Sequence, residues 1–284
     1  MKFHLDTAEI YVPDGRPVAE ALARTTHLAI SAHQDDIEIM AADGILQCYQ
    51  QKDRWFTGVV LTDGAGSPRT DLYEGYSDAM MQQVRRLEQK KAAFLAEYGA
   101  VVLLDYPSSA VKGATDERPT RDLAAVLEAC RPEVVYTHNL ADKHDTHVAV
   151  ALRTIAALRG LPAERRPKQL YGCEVWRDLD WMVDGDKVAF DLSAHENLQA
   201  ALVSLYDSQI CGGKRYDLAT QGRRRANATY AASHGTDEAT SLSYAMDLSP
   251  LLTDTSLSPW AHVRAHLDRL REEIETRLTK LSKK

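Results

Sequence analysis

The chain has 284 residues and a formal net charge of -7, with 44% hydrophobic and 26% charged residues. That length supports one large buried core, the composition excludes a fibrous or disordered chain, and the acidic balance speaks against a nucleic-acid partner. Four scattered cysteines without a CxxC pair, no signal-peptide pattern and no apolar run of roughly 18 to 20 residues predict a cytoplasmic protein with free thiols and no membrane span.

Short β-branched runs alternate with stretches of helical periodicity, which predicts an α/β fold: a Rossmann-like, mostly parallel sheet with helices on both faces. The first run, 27–32 (HLAISA), ends at His33, after which Ile37, Met40, Ala41 and Ile45 recur at helical spacing. HQDD at 33–36 therefore falls at a strand-to-helix junction. A second run, 55–61, leads into TDGAGSPR, a loop by its glycines and proline. The next helix is predicted around Met81, Val84, Leu87, Leu95 and Tyr98, a stripe broken only by Lys91, with Asp78 near its start and Gly99 as its stop.

A strand at 100–104, a helix at 122–130 and a strand at 133–137 follow. The last of these runs into HNLADKHDTH at 138–147 and a helix carried by Val148, Ala151, Leu152, Ile155 and Leu158. Two further strands are expected at 169–176 and 187–192, then a helical region over 194–232 that caps the sheet. Arg223, Arg224 and Arg225 read as a solvated helix face. A charged amphipathic helix over 259–281, with Val263, Leu267, Leu270, Ile274 and Leu278 on one side, is expected to pack on its own core or on a second subunit. One domain is expected over 1–284, with a core at about 25–210 and a C-terminal helical extension at about 211–284.

In parallel sheets, catalytic groups gather beyond the carboxyl ends of the strands. Both histidine-rich loops follow strands, so they are expected to meet at one end of one sheet. His33, Asp35 and Asp36 fit a metal or catalytic cluster, the plain alternative being a helix N-cap by either aspartate. His144 and His147 are three apart at a helix start and share a face. Two histidines and one carboxylate leave open positions on a zinc ion, as a catalytic site needs. His138, His195 and His234 have no partner at metal spacing and read as structural.

Ala32-His33-Gln34-Asp35-Asp36 and His144-Asp145-Thr146-His147 resemble the AHPDD and HxxH motifs of the PIG-L or LmbE-like N-deacetylases. VVLTDG at 59–64, RRLE at 85–88, THN at 137–139 and SQ at 208–209 extend the resemblance over roughly 27–210. It implies a divalent ion, Zn²⁺ with Fe²⁺ as the other choice, held by His33, Asp36 and His147. It further implies Asp35 as general base, His144 as the charged partner of the developing oxyanion, and Arg69 in contact with substrate. Trp176, Asp178 and Trp181 fall where the family lines its pocket, and Asp142 or Asp145 is expected to hold a ring nitrogen of His144. The implied substrate is a small N-acetylglucosamine-type amino sugar or its conjugate, and the implied assembly a homo-oligomer.

The chemistry is coherent: zinc brings the pKa of a water to about 7 and polarises an acetyl carbonyl, and a neighbouring carboxylate shuttles the proton. Gln34 stands where the family has proline, which loosens the loop and adds an amide able to reach substrate. Tyr106-Pro107-Ser108-Ser109 lacks an aspartate that relatives use for sugar hydroxyls. Two other readings stay open at this stage: a mononuclear Fe(II) oxygenase using His33, Asp35 and His147 as a facial triad, and a catalytically inactive carbohydrate-binding relative.

Overall fold

The computed structural model describes residues 1–229, 231–232 and 234–282. In chain order the elements are β1 (Glu9–Tyr11), α1 (Val18–Ala23), β2 (His27–Ser31), α2 (Asp36–Met40), α3 (Ala42–Cys48), β3 (Phe56–Thr62), α4 (Asp78–Leu95), β4 (Ala100–Tyr106), α5 (Ser108–Lys112) and α6 (Arg118–Cys130). There follow β5 (Val134–His138), α7 (Asp145–Gly160), β6 (Gln169–Cys173), β7 (Lys187–Asp191), α8 (Glu196–Ser204), α9 (Asp207–Ile210), α10 (Tyr216–Thr229), β8 (Leu242–Asp247), α11 (Pro250–Thr253) and α12 (Pro259–Ser282).

The strands form one sheet in the order β1-β4-β3-β2-β5-β6-β8-β7. Its centre, from β4 to β6, is parallel, and the edges are antiparallel. From β2 the chain steps outward through β3 to β4, whereas from β5 it steps the other way to β6. The crevice between β2 and β5 is therefore the switch point at which doubly wound sheets hold ligands.

Alternate residues of each central strand enter two cores. Leu28, Ile30, Val59, Leu61, Val102 and Leu104 pack with Leu123 and Val126 of α6 and Val150 and Leu158 of α7. Ala29, Val60, Val101 and Leu103 pack with Ile37 of α2, Ile45 of α3, Ala92 of α4 and Leu202 of α8. Burial on both faces is why these strands read as continuous apolar runs.

Several elements depart from the sequence expectation. β1 and β8 were not anticipated, and β8 lies between β6 and β7, so the C-terminal extension contributes to the sheet as well as helices. The single helical region over 194–232 is divided into α8, α9 and α10. On α4 the side chains turned inward are Met81, Arg85, Glu88, Gln89, Ala92 and Ala93, while Leu87 is 53% exposed. The α4 cap is Ser77, whose side chain accepts from the Met80 amide.

Of the three consecutive arginines, Arg223 and Arg225 are exposed as expected of a solvated helix face, and Arg224 is buried. Arg223 donates to the Val175 and Trp176 carbonyls. Buried Arg224 donates to those of Glu38 and Ile39, and Arg225 pairs with Glu196. Along α12 only His262, Val263 and His266 are buried, which leaves Leu267, Ile274 and Leu278 exposed. The four cysteines are unbridged. Among the described residues no helix is long and apolar enough to cross a membrane.

Candidate metal centre and its pocket

The loops after β2 and β5 are joined beneath the crevice. The Ala32 amide donates to His138 Nε2 at 2.8 Å, and the Thr62 hydroxyl at the end of β3 donates to the Ala32 carbonyl at 2.7 Å. Asp35 occupies the N-cap position of α2 without making a side-chain cap, so the plain capping role does not explain it. Its φ of 96° lies in a region that L-residues avoid at a cost of about 1–3 kcal/mol, a cost concentrated at functional sites.

Three donor atoms converge from these loops. His33 Nδ1 lies 3.2 Å from Asp36 Oδ2 and 3.2 Å from His147 Nε2, and the last two are 3.5 Å apart. Ligands bonded to a tetrahedral zinc at about 2.0–2.1 Å sit roughly 3.3 Å from one another. His147 Nδ1 is 3.1 Å from Asp142 Oδ2, which makes Nδ1 the proton-bearing nitrogen and turns the Nε2 lone pair toward the other two donors. An array of lone pairs at such separations requires a cation or a proton among them, and the donor set fits a divalent ion.

His138, read from its spacing as structural, enters this cluster. It is fully buried, stacks on His147 with ring centroids 3.9 Å apart, and puts Nε2 3.3 Å from Asp36 Oδ2. Its one Nε2 lone pair already accepts from Ala32, however, so His33 is the freer donor. His33, His144 and His147 also lie within mutual reach of one ion. Asp35 stands outside the triangle: its carboxylate is 3.1 Å from the Arg85 guanidinium, which also reaches Glu88 at 3.3 Å and donates to the Gln34 carbonyl. Glu88 in turn accepts from the Ser208 amide and hydroxyl, each at 2.8 Å.

The electrostatics follow from burial and these partners. Burial, opposed by Arg85 and reinforced by Asp36, raises Asp35 to about 6. Burial would raise Asp36 too, but His147, His33 and His138 outweigh it and hold Asp36 well below the usual carboxylate range. For His147, burial acts downward and the Asp36 and Asp142 carboxylates prevail, so it stays above its ordinary value. His144 is lowered by burial and by His147 and His33, which favours a neutral ring over the charged one expected. Neither carboxylate expected to hold a His144 ring nitrogen does so: Asp142 Oδ1 accepts from the His144 main-chain amide at 2.9 Å, Asp145 is exposed, and the His144 Nδ1 is without a hydrogen-bond partner.

A pocket of about 300 Å³ opens over the cluster, lined by His33, Asp35, Asp36 and His144 together with Thr62, Gly64 and Ser108. Gly64 has φ 76°, and a Cβ there would come within 2.9 Å of both Arg85 and Gln34, so the backbone approaches where no side chain fits. Sequence reading missed Lys112, Lys214 and Tyr216, which also line the pocket, and foresaw Trp176, which does. Asp178 and Trp181 line a neighbouring cavity instead. Arg69 is not brought to this pocket; its guanidinium braces the loop, donating to the Ala65 carbonyl at 2.6 Å and to Asp78 at 2.5 Å. Gln34 is buried and donates to the Thr62 carbonyl at 2.9 Å, so its amide replaces the rigidity of proline by a tether.

The family model described as PIG-L, GlcNAc-PI de-N-acetylase, matches residues 28–158. Among curated proteins no sequence matches the chain. A conserved protein of Thermus thermophilus superposes with a TM-score of 0.60 at 22% identity, over 77% of this chain and 94% of that one. The N,N'-diacetylchitobiose deacetylase of Pyrococcus horikoshii gives 0.59 at 16%, over 78% and 83%. The 4-carboxy-2-hydroxymuconate hydratase of Pseudomonas putida gives 0.57 at 17%, over 79% and 96%. At such identities the likeness shows the fold, and the fold carries both hydrolysis of an amide and addition of water to another kind of bond.

Proposed function

We propose, for a chain whose residues 28–158 match the PIG-L family model, that it is a divalent-metal-dependent hydrolase removing the N-acetyl group from an N-acetylglucosamine-type amino sugar or its conjugate. The observation that carries the proposal is the triangle of His33 Nδ1, Asp36 Oδ2 and His147 Nε2, its sides 3.2 to 3.5 Å, at the floor of an open pocket. A Zn²⁺ or Fe²⁺ ion held there would supply a Lewis acid for the acetyl carbonyl and lower the pKa of water to about 7.

The protein's own groups support the rest of the chemistry. Asp35, raised to about 6, is suited to accept a proton from the attacking water and to return it to the amine nitrogen as the C–N bond breaks. Arg85, locked between Asp35 and Glu88, fixes the direction of that carboxylate. His144, as a neutral N–H donor, would meet the negative charge growing on the carbonyl oxygen, a role worth about 3–4 kcal/mol where it has been removed from other enzymes. Asp142 orients His147 from behind.

The oxygenase reading requires Asp35 among the ligands, and its pairing with Arg85 disfavours that. Residence in the cytoplasm agrees with four unbridged cysteines. Self-association is proposed through the exposed apolar side of α12.

The test is release of primary amine from a panel of N-acetylated amino sugars and glycosides, with and without a chelator, and with Asp35→Asn. The expected result is amine release by the zinc-loaded protein, abolished by the chelator and reduced about 10²- to 10⁴-fold by Asp35→Asn. Full metal occupancy without amine release from any member would overturn the reading. Hydration of an unsaturated acid in its place would align the chain with the hydratase of similar fold.

A further inference from the structure

Helix α12 leaves the body of the protein with its apolar side uncovered. Its start is anchored by buried His262, Val263 and His266, whereas every residue from 271 to 282 is exposed. At about 100° per residue, Leu267, Leu270, Ile274, Leu278 and Leu281 fall within about 80° of one face. Leu267, Ile274, Leu278 and Leu281 are exposed by 39%, 46%, 61% and 74%, so the exposure grows toward the end of the helix. Beyond its start, the chain's own body does not cover this stripe. The side of α12 that faces Val183, in the loop before β7, is polar: Arg269, Glu272, Glu273, Thr276, Arg277 and Lys280 line an open cleft of about 570 Å³ there. Arg269 pairs on this side with Asp186. Closing the cleft would bury charge and leave the leucines in water.

The charges beside the stripe indicate what covers it. On one flank Arg271 precedes Glu275 by four residues, and on the other Glu273 precedes Arg277 by four. Two copies of α12 laid antiparallel, with Ile274 at the two-fold axis, set Leu267 against Leu281 and Leu270 against Leu278 of the second copy, because each pair is symmetric about position 274. In such a pair each flank meets its own counterpart, so Arg271 meets Glu275 of the second copy and Glu273 meets Arg277. Each of these contacts joins opposite charges, and the symmetry makes each of them twice. Within its own chain Glu273 pairs with Arg277, and among the described residues Glu275 makes no ion pair. The antiparallel direction also sets the helix dipoles against each other favourably and places the two bodies at opposite ends of the paired segment. The other uncovered apolar face, Met80, Leu87 and Phe94 of α4, carries exposed Lys91 in its midst, so a partner there would have to bury a lysine.

From this self-complementarity we infer that α12 docks on a second copy of this chain, the two helices pairing antiparallel around Ile274. The inference rests on the proposed self-association through α12 and deepens it by fixing the partner, the direction and the register; it is independent of the hydrolase chemistry. The contact is a short one, at the small end of specific interfaces, so the dissociation constant should be on the order of 10 μM.

Sedimentation velocity of the full chain over about 1–100 μM tests this without substrate. The intact protein should pass from monomer to dimer across that range, and Ile274→Glu, which sets two carboxylates against each other at the axis, should weaken dimerisation by at least about 30-fold. Arg271→Glu and Glu275→Arg alone should each weaken it about tenfold, since each places like charges opposite one another twice. An equimolar mixture of these two variants should regain the affinity of the intact protein to within about threefold, because every flank contact between unlike copies again joins opposite charges. All these positions are exposed, so the fold of the body is untouched, and the recovery on mixing shows that the variants are folded. A protein that stays monomeric at about 100 μM overturns the self-association and the inference together. A dimer that withstands Ile274→Glu overturns the inference, and so does one that Ile274→Glu abolishes while the mixture regains nothing; in that last case self-association through α12 stands and its register falls. Failure of the hydrolase reading would appear only in the amine-release assay.

Discussion

Helices α4 and α6 cover opposite faces of the same sheet and bury opposite kinds of side chain. α6 turns Leu123, Val126, Leu127 and Cys130 inward, the stripe that hydrophobic periodicity anticipates. α4 turns Arg85, Glu88 and Gln89 inward and leaves Leu87 and Phe94 exposed at 53% and 65%. The polar face continues into α2: Gln89 donates to Glu38, which also accepts from Tyr98 and Tyr206 at 2.7 and 2.6 Å. One face of the sheet is thus packed for stability, while the other also holds the pocket in shape with a buried network.

If that contrast is right, the two faces should respond differently to substitution. Arg85→Met strands the Asp35 and Glu88 carboxylates in the interior, and about 3–5 kcal/mol of stability should be lost in chemical denaturation, together with about 10²-fold in kcat because Asp35 loses its orientation. Leu127→Ala on α6 should cost about 2–5 kcal/mol while kcat/KM per folded molecule changes less than about twofold. A comparable loss of kcat in Leu127→Ala would erase the distinction. Asp142→Asn, which removes the acceptor behind His147, should weaken zinc binding about 10- to 100-fold in a competition titration with little change in unfolding of the metal-free protein. Leu87→Ser on the outer side of α4 should shift stability by no more than about 0.5 kcal/mol, and a larger loss would mean that this side of α4 is covered in solution.

The same contrast explains what was readable from the sequence. Where burial is apolar, period and position agree: the central strands, α6 and α7 lie close to where periodicity puts them. HQDD and HDTH were readable because both stand at strand-to-helix junctions, whose place at the sheet's carboxyl edge follows from topology alone. Periodicity failed at α4, because a test that counts apolar residues assigns a buried Arg-Glu-Gln face to solvent. His138 was missed because its partners, Ala32 after β2 and Asp36 at the start of α2, are about a hundred residues away in sequence and leave no local spacing. The role of Arg224 was hidden likewise, since its acceptors are main-chain carbonyls at residues 38 and 39. β8 is a six-residue run that acquires strand character only by pairing with β6 and β7. The resemblance supplied Arg69 a substrate contact, but in this loop Asp78 claims its guanidinium.

The ion at the junction of the two loops is what the proposed chemistry depends on, and elemental analysis of bound zinc in matched single variants decides it. The intact protein and Asp35→Asn should each carry about one ion per chain, whereas Asp36→Ala and His147→Ala should lose it. Retention of zinc by Asp36→Ala at the affinity of the intact protein, or its loss from Asp35→Asn alone, would contradict the assignment of His33, Asp36 and His147 as the metal-holding set.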